Sequence, residues 1–157
     1  MKRYVLWAIV VLCAAPVTAD DTLVRFDRGI GVDPVAKIDG NGAPVLNSIL
    51  GVPPGGFPWV IEGLNATVRT DGRVTVDGRG LLLAGGDGIG TNGNQNVSAW
   101  LFCGTSVSKT GVVPLDDNGD FHINDMLTPT PPDPCGKPVL LIVNARGAWF
   151  AAGIPKR

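Results

Sequence analysis

The sequence predicts an all-β protein: an antiparallel two-sheet sandwich of about seven to nine short strands with one disulfide, or a small barrel as the alternative closure. Three observations carry this. Thirteen aspartates stand against one glutamate, Glu62, and aspartate favours turns and caps where glutamate favours helix interiors. Glycine (22) and proline (13) are abundant among 157 residues, yet only 17% are charged, so the chain is too apolar to remain disordered. Three times, two alternating segments flank a three-residue reversal ending in glycine, and no stretch of about 11 residues after the first twenty combines a 3.6-residue period with capping signals.

The chain opens with Lys2 and Arg3, an apolar run from Tyr4 to Ala15, Pro16, and the small residues Val17-Thr18-Ala19. That is the pattern of a secretory signal over 1–19, too short to span a bilayer as a helix, and Cys13 falls within it. Residues 20–157 then form a single β-sandwich domain, expected to be exported to a periplasmic or extracellular space with no membrane span after signal removal. Losing Lys2 and Arg3 leaves 13 − 2 = 11 cations against 14 acids, net −3. No basic stripe survives, which argues against nucleic acid as a partner. In an oxidising compartment the two remaining cysteines, Cys103 and Cys135, pair as a disulfide.

The first strand candidates are Thr22 to Phe26, Val35 to Ile38 and Trp59 to Ile61, with residues 51–59, rich in Pro and Gly, an irregular surface loop before Trp59. In Ala66-Thr67-Val68-Arg69 / Thr70-Asp71-Gly72 / Arg73-Val74-Thr75-Val76, a three-residue loop sets Val68 opposite Val74, Ala66 opposite Val76 and Thr67 opposite Thr75. A two-residue loop would place Val68 against Thr75 and mix the faces, so only the longer loop separates apolar from polar, with Gly72 at the left-handed position. Gly80 to Ala84 extends that second strand past a bulge at Asp77-Gly78, residues 85–96 form a glycine-rich loop, and Val97 to Cys103 is another apolar strand. The same construction around Asp117-Asn118-Gly119 pairs Leu115 with Phe121 and Val113 with Ile123, and Pro114 marks an edge strand. Residues 128–138, a proline-rich loop holding Cys135, are pinned by the disulfide to strand 97–103. A third reversal, Ala145-Arg146-Gly147, pairs Val143 with Trp149 and Ile142 with Phe150, and its apolar faces predict a central position.

With Arg73-Val74-Thr75-Val76-Asp77-Gly78-Arg79-Gly80-Leu81 in an exported single-domain chain with a cystine, the sequence resembles secreted bacterial immunoglobulin-like domains, in particular the neocarzinostatin-type apoproteins. The resemblance covers about a tenth of the chain and implies a seven-stranded sandwich. That family carries an apolar chromophore in a cleft and typically has two disulfides where one can form here. No binding residue transfers from it.

Candidate chemistry is sparse. Gly88-Ile89-Gly90-Thr91-Asn92-Gly93 matches half a dinucleotide fingerprint but is followed by a strand rather than a helix, which argues against a nucleotide cofactor; no cofactor is expected. Asp116, Asp117, Asn118 and Asp120, with Asp125 nearby, gather oxygen ligands as calcium requires, although the same residues are ordinary turn formers. His122 is the one histidine, on the face opposite Phe121 and Ile123, without the partners for a triad or a zinc site, and Glu62 has no second carboxylate placed near it. Alternation sets Trp100 and Phe102 opposite Leu101 and Cys103. An interior cystine would make Trp100 and Phe102 an outward ligand patch; a cystine stapling the proline loop outside would make them core, which the need to bury aromatics favours. The expectation is a non-catalytic, exported binding or structural module for an unidentified protein or small molecule. Its alternatives are a carrier of an apolar small molecule in an aromatic cleft and an exported hydrolase using aspartates.

Overall fold

The computed structural model describes residues 21–156, and the reading of 1–19 as a signal lies outside them. Thirteen strands follow one another: β1 Thr22–Gly31, β2 Val35–Ile38, β3 Pro44–Leu46, β4 Trp59–Val60, β5 Gly63–Arg69, β6 Arg73–Arg79 and β7 Leu82–Leu83. Then come β8 Asn96–Cys103, β9 Ser106–Lys109, β10 Val113–Pro114, β11 Phe121–Met126, β12 Pro138–Asn144 and β13 Trp149–Pro155. No helix occurs among the described residues, and the strand ladders are antiparallel.

Nine strands make one sheet in the order β10-β8-β12-β13-β1-β5-β6-β11, with β9 also on β8. The facing layers are therefore halves of a single sheet that rolls back on itself. Its end strands β10 and β11 come close together, linked by the turn between them and by Gly111 N donating to Asp125 Oδ2 at 2.8 Å. The concave side is filled by alternating residues: Val24 and Phe26 of β1, Leu64, Ala66 and Val68 of β5, Val74 and Val76 of β6, Leu101 of β8 and Leu140 of β12. Burying one such aliphatic side chain contributes about 1.5–3 kcal/mol, and a strict alternation over three neighbouring strands fixes their register.

The first hairpin forms as its pattern requires: Val68↔Val74, Ala66↔Val76 and Thr67↔Thr75 pair, and Gly72 adopts φ 89°. β12 and β13 are central, Val143 pairs with Trp149, and Gly147 adopts φ 87°. Ile142, however, pairs with Ala151, because a register shift leaves Phe150 as the extra residue on β13. The middle reversal closes locally, with Asp116 N donating to Asp120 O at 3.0 Å, but its arms diverge. β10 pairs with β8 (Val113↔Val97) and β11 with β6 (Ile123↔Val76), so the pairs Leu115–Phe121 and Val113–Ile123 do not form. Pro114 does lie in an end strand of the sheet.

The bulge expected at Asp77-Gly78 is absent, since β6 keeps regular register with both neighbours. Gly78 instead makes room for its cross-strand partner: a Cβ there would lie 2.0 Å from Cε1 of Phe121. Nor does 80–84 continue β6, because Leu82–Leu83 leaves to pair with Trp59–Val60. Residues 51–59 are irregular but not merely superficial. Trp149 N donates to Pro53 O and Gly55 N to Trp149 O, both at 2.9 Å, and Val52, Pro54 and Gly55 are buried.

The two ends of the rolled sheet differ. At one, Cys103 and Cys135 form the disulfide, tying the proline-rich loop to β8 as the sequence predicts. The β5–β6 turn joins that end through Leu127 N donating to Gly72 O at 2.9 Å. The opposite end, where β8 begins and β12 finishes, is framed by residues 55–59, 83–95 and 144–148.

Candidate functional site

At this second end lies a cleft of about 420 Å³, a volume within the usual range for small-molecule sites. Its floor is a stacked pair, Trp59 and Phe150, with ring centroids 4.0 Å apart and planes 13° from parallel. Trp59 is placed there by Trp59 N donating to Val32 O and by Gly31, where a Cβ would lie 1.9 Å from Trp59 O. Phe150 reaches the floor from the irregularity of β13. The pair is only 5% and 3% exposed, whereas Phe57 on the rim is 56% exposed.

The walls owe their shape to small residues. Gly55 sits where a Cβ would come within 2.8 Å of the Phe150 ring, Gly93 faces the edge of Trp59 at 3.4 Å, and Gly56 has open space around it. One wall is polar and internally hydrogen-bonded. Asn144 is buried, its Oδ1 accepts from Arg146 N (3.0 Å) and Ala148 N (2.9 Å), and its Nδ2 donates to Gln95 Oε1 at 3.4 Å. Gln95 Nε2 in turn donates to Gly93 O at 3.0 Å. These bonds hold the turn carrying Arg146 against the cleft. The cleft thus sets an aromatic floor against an amide wall and one cation, Arg146.

The residues singled out from the sequence fall elsewhere. Leu101 and Cys103 face the interior, so Trp100 and Phe102 lie on the convex side of β8, beside Leu141 and Val139 of β12, and not in the concave core. They form no open patch, however. Phe102 is 8% exposed, and the half-buried Trp100 has Lys109 Nζ 3.4 Å from its ring centroid and donates Nε1–H to Ser98 Oγ at 3.1 Å.

Asp116 Oδ1 accepts from Asn118 N (2.9 Å) and Asp120 N (2.8 Å), and Asp120 Oδ1 accepts from Gly80 N (2.8 Å). Asp116 builds its turn, Asp120 ties that turn to Gly80, Asp117 is simply exposed, and no group of three or more His, Cys, Asp or Glu side chains that could hold a metal ion occurs among the described residues. His122 is exposed, and its Nδ1 meets Asp77 Oδ1 at 2.7 Å across the β6–β11 pair. The groove beside them is lined by Asp116, Asp120, Arg79 and apolar residues, with no Ser, Thr or Cys among its lining residues. Thr91 of the glycine-rich segment bonds back to Leu83, and β8 follows rather than a helix. Glu62 is exposed beside Gly80.

The cleft residues escaped the sequence reading because they come from four separated segments. Glycines clustered at 55, 56 and 93 were the available signal, and their meaning depends on what they approach. No helix of the described residues is long and apolar enough to cross a membrane. No protein-family model, curated protein or solved structure matches this chain.

Proposed function

We propose that the protein is an exported, non-catalytic binding module that takes a small molecule with an apolar body in the cleft over Trp59 and Phe150. The observation that carries this reading is the glycine-framed aromatic cleft at the end of the rolled sheet opposite the cystine. Export is supported by the disulfide and by the signal-like pattern of residues 1–19. A rigid sheet with one end stapled and recognition residues at the other keeps the site preorganised, which lowers the ordering cost of binding. The reading retains the aromatic carrier suggested by the sequence but moves its cleft from Trp100 and Phe102 to Trp59, Phe57 and Phe150.

The test uses N-phenyl-1-naphthylamine, a neutral apolar fluorophore, titrated into the protein. Binding is expected, with affinity falling by about tenfold or more in Gly56→Trp, whose new side chain occupies the cleft, and unchanged in Trp100→Ala and His122→Ala. Absence of binding, or equal binding by Gly56→Trp, overturns the reading.

A further inference from the structure

Resting on that reading, we infer that the ligand is an amphipathic organic anion, an aromatic or alkyl body bearing a carboxylate, sulfonate or similar group, whose charge is met by Arg146. Among the residues lining the cleft, Arg146 carries the one charge and there is no carboxylate. The ion pairs formed by described residues do not include it. It stands on the Ala145-Arg146-Gly147 turn, which Asn144 secures from both sides through Arg146 N and Ala148 N. Arg146 thus lines the cleft from a backbone held in place by Asn144, with its side chain exposed.

The neutral polar side chains of the cleft are partly engaged with one another, and none of them carries charge. Asn144 spends its oxygen on the turn and its nitrogen on Gln95, while Gln95 Nε2 is given to Gly93 O. What the site offers a ligand is aromatic and aliphatic surface from Phe57, Trp59, Leu83 and Phe150, neutral N–H donors, and Arg146 as its one cation. Arg donates two parallel N–H groups to carboxylate or sulfonate oxygens, and such charge-assisted bonds are about twice as strong as neutral ones. The low polarity of the floor reduces screening of that attraction.

A matched pair of probes separates the two propositions. 8-Anilinonaphthalene-1-sulfonate differs from N-phenyl-1-naphthylamine only by its sulfonate. At low ionic strength the wild-type protein is expected to bind the sulfonate about tenfold more tightly than the neutral compound, with the preference shrinking as salt rises. Arg146→Gln is expected to abolish that preference, Arg146→Lys to keep part of it, and Lys37→Gln, on the exposed β2, to keep all of it. Equal affinities in the wild type, or a sulfonate preference that survives Arg146→Gln, overturn the anion inference while leaving cleft binding in place, provided Gly56→Trp still blocks both probes. Binding of the neutral compound but not of the sulfonate likewise overturns only the anion inference, whereas failure of N-phenyl-1-naphthylamine to bind the wild type, or binding unaffected by Gly56→Trp, overturns cleft binding itself.

Discussion

Close approach, more than conformational freedom, explains the decisive glycines. A Cβ at Gly31 would lie 1.9 Å from the backbone oxygen of Trp59, and neither partner can turn away, because Trp59 N is bonded to Val32 O. Gly31→Ala is therefore expected to lower stability by about 3 kcal/mol or more and to disturb the cleft floor, whereas Gly40→Ala, with nothing within 4 Å, leaves stability within about 0.5 kcal/mol of the wild type. Urea unfolding of the two variants checks this, and equal midpoints would contradict it. The sequence could not announce Gly31 as special, since a glycine near a strand end reads the same whether it is touched or not. Residue parity in β8 was legible, and Trp100 and Phe102 do share a face. Which face, however, depended on Cys103, whose side chain points inward at the end of the sheet.

Hairpins show how far local chemistry reaches. Three reversals close at the glycines their sequences mark, with Gly72, Gly119 and Gly147 at φ 89°, 79° and 87°. Turn residues determine the reversal, but the partner of each arm is chosen by burial elsewhere, and β10 and β11 accordingly go to β8 and β6. Asp116 serves the turn alone, so Asp116→Ala, losing two backbone-to-carboxylate bonds, is expected to cost about 1–3 kcal/mol. Thermal or urea denaturation reads this out.

The β2–β3 hairpin carries a pH dependence. Asp39 Oδ1 accepts from Ala43 N and Asn41 N, both at 2.9 Å, and these bonds to Ala43 foremost, then Asn41, hold the carboxyl below its ordinary 3.8. A lowered folded-state pKa stabilises the turn above 3.8 and is lost as pH falls below that value toward the folded pKa. Hydrogen exchange at the Asn41 and Ala43 amides, corrected for intrinsic rates, is expected to lose protection on acidification through that window, and Asp39→Asn to remove this dependence. Titration of Asp39 by NMR at or above 3.8 would contradict it.

For the molecule as a whole, the disulfide and the cleft divide the labour between the two ends of the rolled sheet. Cys103 and Cys135 are 32 residues apart, a loop whose closure stabilises by about 3–4 kcal/mol in the chain-entropy treatment. Cys103→Ala/Cys135→Ala is expected to lose about that much in urea unfolding while retaining probe binding under native conditions. All-β architecture, antiparallel pairing and this bond were legible because turn chemistry, alternation and cysteine number are local or countable. The continuity of the sheet and the cleft were not, because both arise from contacts among segments far apart in the chain, such as Gly55 with Phe150 or Gln95 with Asn144. The most direct measurement of the proposed cleft binding is NMR mapping of backbone amide shifts during titration with N-phenyl-1-naphthylamine. Binding in the cleft gives its largest shifts at Gly56, Gly93, Gln95 and Ala148, whereas largest shifts along the convex side at Trp100 and Phe102, or in the groove beside His122, contradict it.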